Sequence, residues 1–214
     1  VPVVKLSQAA GSFKSHIIRT FARIFLARCR MTFARGEKTR EHLAGLGLPE
    51  GIFQPAADAA FCYQPSYCLT RENQTAVSQV TEWLDEIKRS GQKIIAISPS
   101  SLVEEKSSSA KVDYTELLLK MISACSQQSV HFVIFPNASR ERSKKKRNND
   151  IPVIERLRAA AELGLPLPLY RRITWVAYDL NTAGIDEIVR RADVLVTSRF
   201  HAMVFGLRLC VPTL

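Results

Sequence analysis

From residue 77 onward the chain switches repeatedly between two hydrophobic periodicities. Val77, Val80, Leu84 and Ile87 recur at three- and four-residue spacing, which predicts a helix with one buried face, ended at Gly91. Lys93–Ser98 is a short apolar run with no polar alternation, as expected of a strand covered on both faces. The pattern then repeats. Asp113 and Glu116 have the spacing of a capping box and open a helix carrying Leu117, Leu118, Met121, Ile122 and Cys125. Val130–Phe135 reads as a strand, 152–163 as a helix, and Ile173–Ala177 as a strand. Ile185, Ile188 and Val189 mark a helix ending near Ala192, followed by a strand at Val194–Thr197. A short helix at His201–Leu207 and a last strand at Cys210–Leu214 complete the series.

The first third follows the same rule less cleanly. Val1–Leu6 reads as a strand and Gln8–Phe13 as a loop of small residues. Ile17, Ile18, Phe21, Ile24 and Phe25 form the apolar stripe of a helix punctuated by Arg19, Arg23, Arg28 and Arg30. Packing of that stripe against a sheet is the expectation, with a membrane surface as the other place for such a helix. Met31–Ala34 reads as a short strand, Glu37–Ala44 as a helix ending near Gly45 or Gly47, and Ile52–Gln54 as a short strand before Pro55. Residues 64–75 lack periodicity and read as a linker. Strands alternating with helices imply an α/β fold of parallel strands joined by right-handed crossovers. The expected division is 1–65 and 66–214. Both ends fall on strands, which predicts a chain truncated at both ends.

Composition narrows the function classes. The chain has 214 residues, 46% hydrophobic and 23% charged, ordinary for a globular protein. No apolar run approaches the roughly 20 residues that span a bilayer, and no secretory signal pattern opens the sequence. Thirty basic and twenty acidic side chains give +10, and residues 140–147 supply +5 of it. That run reads as a solvated loop; without interleaved aromatics it does not suggest specific nucleic-acid binding. Five cysteines without metal-ligand spacing predict reduced thiols, a cytoplasmic protein and no metal site.

Candidate chemistry concentrates at residues 194–202. A strand rich in β-branched residues leads into Ser198, a possible helix cap, and then Arg199 and His201 at the strand-to-helix turn. Parallel sheets bind ligands outside the carboxyl ends of their strands, and helix starts attract anions. An arginine fork and a histidine there suit a site that holds phosphate or carboxylate and moves a proton. Ser98 and Ser100 end another strand and either contact substrate or shape a turn. Asp58 and Asp193 read as backbone caps, and His131, within a strand, as structural. His16 and His42 have no partner pattern. There is no dinucleotide fingerprint, phosphate-binding loop or nucleophile elbow.

Several segments together resemble the polysaccharide pyruvyl transferase family. Gln8-Ala9-Ala10-Gly11-Ser12-Phe13 is similar to its Gly-Pro-Phe loop. Phe33-Ala34-Arg35-Gly36-Glu37-Lys38-Thr39, with Leu46-Gly47 beyond, is similar to its Arg-Glu-x-x-Ser segment, with Gly36 where the glutamate is expected and Thr39 for the serine. Pro55-Ala56-Ala57-Asp58-Ala59-Ala60-Phe61 is similar to Pro-Asp-Pro-Ala-Phe. Asp193 through Ala202 is similar to its Arg-x-His-Ala segment, and Cys210-Val211-Pro212 to Gly-x-Pro.

The resemblance implies two Rossmann-like halves facing a cleft, as in the glycosyltransferase-B class. It also implies transfer of a pyruvyl group from phosphoenolpyruvate to a glycan or a lipid-linked sugar. In that frame His201 is the general acid or a donor to departing phosphate. Arg199 and Arg35 contact the anionic donor, Ser98 and Ser100 are substrate contacts, and no cofactor is required. Peripheral contact with the inner membrane face is compatible with it. The alternatives are a nucleotide-sugar-dependent glycosyltransferase and a basic, non-enzymatic binding protein.

Overall fold

The computed structural model describes residues 1–64, 71–139 and 149–214. The basic run at 140–147 and residues 65–70 of the expected linker lie outside the described residues. The chain divides into two compact units, Val1–Tyr63 and Gln64–Leu214.

The first unit is a parallel three-stranded sheet of order β1-β2-β3, built from β1 (Val4–Gln8), β2 (Met31–Arg35) and β3 (Phe53–Ala56). Helices α1 (His16–Leu26) and α2 (Glu37–Ala44) make the two crossovers. Leu26, Ala34, Leu43, Leu46, Leu48 and Phe53 form its core. Gly36 precedes α2 at φ +75°, a conformation glycine adopts without steric cost.

One expectation is corrected here. The apolar stripe of α1 does not pack on the sheet. Ile17, Ile18, Phe21, Ile24 and Phe25 are all exposed, because α1 meets the core through Ala22 and Leu26 instead. Pro55, expected to follow its strand, lies within β3. Proline donates no backbone hydrogen bond, and β3 is an edge strand that tolerates this.

The second unit is a parallel four-stranded sheet of order β6-β5-β4-β7. Its strands are β4 (Lys93–Ser98), β5 (Val130–Ile134), β6 (Ile173–Trp175) and β7 (Val194–Thr197). The helices are α3 (Arg71–Arg89), α4 (Ser101–Ser109), α5 (Tyr114–Ala124), α6 (Ile151–Gly164), α7 (Leu167–Tyr170), α8 (Thr182–Arg191) and α9 (Phe200–Arg208). Ile97, Phe132, Ile134 and Ile173 join Leu118 and Ile122 of α5 and Val153, Ile154 and Leu157 of α6 in one core. The alternate positions Ile94, Ala96, Val133 and Leu195 are buried too. Burial of both parities explains why these strands read as continuous apolar runs.

Three further differences are local. The expected linker gives way to α3 at Arg71. The final strand is a single parallel bridge, Leu195 to Thr213, flanked by backbone hydrogen bonds from Leu195 and Thr197 to the Pro212 and Leu214 carbonyls and from Leu214 to that of Leu195. Ser101–Ser109 forms α4, which its mostly polar sequence did not announce.

Gly206 allows α9 to lie close on β7. An added Cβ would overlap Thr213 Oγ1 and come within 2.9 Å of Leu195 Cδ2. Gly206→Ala is therefore expected to cost about 1–3 kcal/mol as overpacking, measured by urea unfolding. An unchanged unfolding midpoint would contradict this packing.

Candidate active site

Strand order and chain order together fix where a site can form. The chain runs outward from β4 through β5 to β6, then returns to place β7 on the other side of β4. Such a reversal leaves a crevice beyond the carboxyl ends of the strands. A cavity of about 730 Å3 occupies that place. It is lined by Ser100 from the turn after β4, Asn137 to Ser139 after β5, and Ser198 to His201 after β7. Lys106 of α4 also lines it. Helix α9 begins at this cavity with Arg199 at its N-cap and no side-chain cap, so its positive end belongs to the cavity wall.

Two side chains from outside these turns tie them together. Tyr114, at the start of α5, accepts the Ser100 N–H at 3.3 Å, and its hydroxyl pairs with Ser198 Oγ at 2.5 Å. Burial holds the Tyr114 phenol above its ordinary range, against the opposing pull of the Ser198 and Ser100 hydrogen bonds. It therefore stays a neutral hydrogen-bonding group. This corrects the reading of Ser198 as a helix cap, because its hydroxyl is engaged by Tyr114.

The second tie is Asp150, fully buried at the start of α6. One carboxylate oxygen accepts the Ser101 N–H and the other the Ala138 N–H, each at 3.0 Å. Arg199 Nε donates to both oxygens at 3.1 and 2.9 Å, and Nη2 also donates to Oδ1. Thr197 Oγ1 accepts the Arg199 N–H at 3.0 Å. One carboxylate thus joins the turns after β4, β5 and β7. A buried charge needs this density of partners.

The candidate residues separate as follows. Ser100, Arg199 and His201 line the same cavity. His201 is exposed in the first turn of α9, its ring edge-on to Phe200. Ser100 Oγ accepts the Val103 N–H at 3.4 Å and so caps α4. Ser98 does not line this cavity. It is fully buried, its hydroxyl makes no hydrogen bond, and it borders a smaller apolar cavity beside Tyr114 and Leu118. Arg35 lies in the first unit at the end of β2, donating to Asp58 at 2.6 Å, and Asp58 also caps the Ala60 N–H at 2.9 Å.

Asp193, His131 and His42 have structural partners. Asp193 accepts from the Ile94 N–H at 2.9 Å and from Lys93 at 3.1 Å. Burial pushes its carboxyl up, but Ile94, Lys93 and Lys88 outweigh that and hold it below the usual carboxylate range. It therefore staples β4 to β7. His131 packs edge-on against Trp83, and burial together with Arg172 lowers its affinity for a proton. His42 Nδ1 lies 3.0 Å from Ala10 O, and His16 is exposed at the start of α1. Among the described residues no three His, Cys, Asp or Glu side chains are grouped to hold a metal ion.

Lys106 and Asp150 were not candidates from sequence. Asp150 precedes a helix with Pro152 in its first turn, a spacing that signals an ordinary N-cap. Asn149 does that work instead, accepting the Ile151 N–H at 3.1 Å.

Parallel α/β units with a crevice at strand ends are the Rossmann-like, doubly wound arrangement. Solved structures agree on the fold. The S. aureus MnaA–UDP co-structure matches all of this chain over 51% of its own length, with TM-score 0.58 and 11% identity. UDP-GlcNAc 2-epimerase from Methanocaldococcus jannaschii gives TM-score 0.56 and 13% identity over 100% of this chain and 54% of that one. A putative UDP-N-acetylglucosamine 2-epimerase from Listeria monocytogenes gives 0.57 and 12% over 94% and 45%. The chain thus spans about half the length of these structures. No curated protein matches it. The polysaccharide pyruvyl transferase model matches residues 1–214, and the chain belongs to that family of transferase enzymes.

Proposed function

We propose that the protein transfers a pyruvyl group from phosphoenolpyruvate to two hydroxyls of one hexose in a cell-surface polysaccharide or its precursor. The observation that carries this reading is the shared placement of Lys106, Arg199 and His201 on one strand-end cavity. Phosphoenolpyruvate has a carboxylate and a phosphate, close to three negative charges in all. An arginine held by Asp150, an exposed lysine and a helix N-terminus suit such a ligand. A cavity of about 730 Å3 falls in the range that accepts whole drug-sized ligands, leaving room for a sugar beside a three-carbon donor.

The chemistry needs a proton at the methylene carbon and stabilisation of a leaving phosphate. Protonation of the methylene leaves a cationic C2, to which the first sugar hydroxyl adds with loss of its proton. Phosphate departs with the C–O electron pair. The second hydroxyl then closes the ring at C2 and gives up its proton, so one molecule of phosphate accompanies each ketal. His201 supplies a proton, to the methylene or to the departing phosphate. Arg199 orients the donor: five N–H donors on one fork allow an arginine to serve a carboxylate and a second anion together. Arg35 and Ser100 belong to the same reading as further substrate contacts. Ser98 belongs to it only through the turn that it ends.

The reading places the protein in the cytoplasm. No helix among the described residues is long and apolar enough to cross a membrane. Peripheral contact through α1 is part of the proposal, since its exposed Ile17, Phe21 and Phe25 lie among Arg19, Arg23 and Arg28. The test is incubation of the full-length protein with phosphoenolpyruvate and hexose-containing acceptors. Equimolar phosphate and an acid-labile ketal are expected. Turnover with nucleotide sugars and none with phosphoenolpyruvate would overturn the reading.

A further inference from the structure

We infer that Asp150 is the positioning residue of this site. It holds the Arg199 fork in its binding orientation and locks the three strand-end turns to one another. The inference rests on the phosphoenolpyruvate reading for its kinetic consequence and on geometry alone for its structural one.

Arg199 stands at the N-cap of α9, where an unrestrained side chain would sample several rotamers and direct its charge into solvent. Asp150 removes that freedom. Its two oxygens take Nε and Nη2 of the fork while accepting the Ser101 and Ala138 backbone N–H groups. Those two N–H donors come from different turns, so the carboxylate itself is immobile and can act as a fixed reference for the arginine. Arg199 is only 12% exposed at its side chain and Asp150 not at all, which keeps the pair from being solvent-screened. The arrangement follows the general rule that a group contacting substrate is oriented by a second residue that does not.

Neither tie is local in sequence. Asp150 and Arg199 are 49 residues apart, and Asp150 and Ser101 also 49. A carboxylate needed only to start α6 would serve through neighbouring N–H groups. Asp150 leaves that task to Asn149 and spends its oxygens across the sheet. Its geometry is therefore explained by what it does to Arg199 and to the turns rather than by its own helix.

The test combines a double-mutant cycle with one spectroscopic reading. In the full-length enzyme, Asp150→Asn and Arg199→Lys are each expected to raise KM for phosphoenolpyruvate at least tenfold, with kcat changed less than threefold by Asp150→Asn. The double variant is expected to fall well short of the product of the two single effects, because the part of Asp150's effect that passes through Arg199 is already lost in Arg199→Lys. A simply additive double variant, or Asp150→Asn with KM within twofold of wild type, overturns the inference. The Arg199 Nε–H resonance of the wild-type protein is expected to exchange slowly with solvent and to become fast in folded Asp150→Asn. A fast-exchanging wild-type signal overturns the inference without any variant. If the wild-type enzyme shows no turnover of phosphoenolpyruvate, the functional reading fails, and this resonance alone decides whether Asp150 holds Arg199.

Discussion

Replacing His201 by alanine is expected to lower kcat for pyruvyl transfer by about 10²–10⁴-fold, the usual contribution of a positioned acid or base. The expectation follows from its place at the start of α9, on the wall of the cavity that Arg199 and Lys106 also line. The reaction cannot begin without a proton on the methylene carbon and cannot finish without charge compensation on the phosphate. An exposed imidazole meets both requirements, and its substitution removes no core packing. Donor affinity is expected to fall far less than turnover, because Arg199 and Lys106 remain. Steady-state assays of released phosphate separate the two effects. A loss of less than tenfold in kcat would remove His201 from proton transfer.

Phe132→Ala is expected to destabilise the second unit by about 3–5 kcal/mol, a large fraction of the stability of an ordinary domain. Phe132 lies in β5, paired with Ile173 of β6 on one side and Ile95 of β4 on the other. It is fully buried in the core shared by α5 and α6. Because β5 is hydrogen-bonded on both edges, it cannot move to fill the space left behind. Leu163→Ala is the matching control: Leu163 is 92% exposed and its truncation is expected to stay within about 0.5 kcal/mol. Urea unfolding of both variants tests the pair. A loss below 1 kcal/mol at Phe132 would contradict the assigned core.

Much of the fold was legible because parallel strands declare themselves. Lys93–Ser98 and Val194–Thr197 read as strands from local sequence and are strands, since burial on both faces leaves no polar alternation to confuse them. Helices with one apolar face, such as α5 and α8, were equally plain. What escaped was whatever depends on distant neighbours. The stripe of α1 looks like a core-facing stripe, but only Ala22 and Leu26 meet the sheet. Helix α4 is polar, and only its capping by Ser100 and its packing against α5 and α6 fix it. In the site, Arg199 and His201 stood out through a strand-end motif. Asp150 did not, because a carboxylate that orients an arginine 49 positions away leaves no spacing to detect. Lys106 was hidden for the same reason, on a helix the pattern never predicted.

In the proposed function the second unit's cavity is a donor site for phosphoenolpyruvate organised around Arg199. Calorimetric titration of phosphoenolpyruvate into the full-length protein, against its Arg199→Ala variant and with nucleotide sugars as comparison ligands, tests it most directly. Saturable binding of phosphoenolpyruvate to one site is expected, lost in folded Arg199→Ala. Saturable binding of a nucleotide sugar in that cavity, with no response to phosphoenolpyruvate, would contradict it.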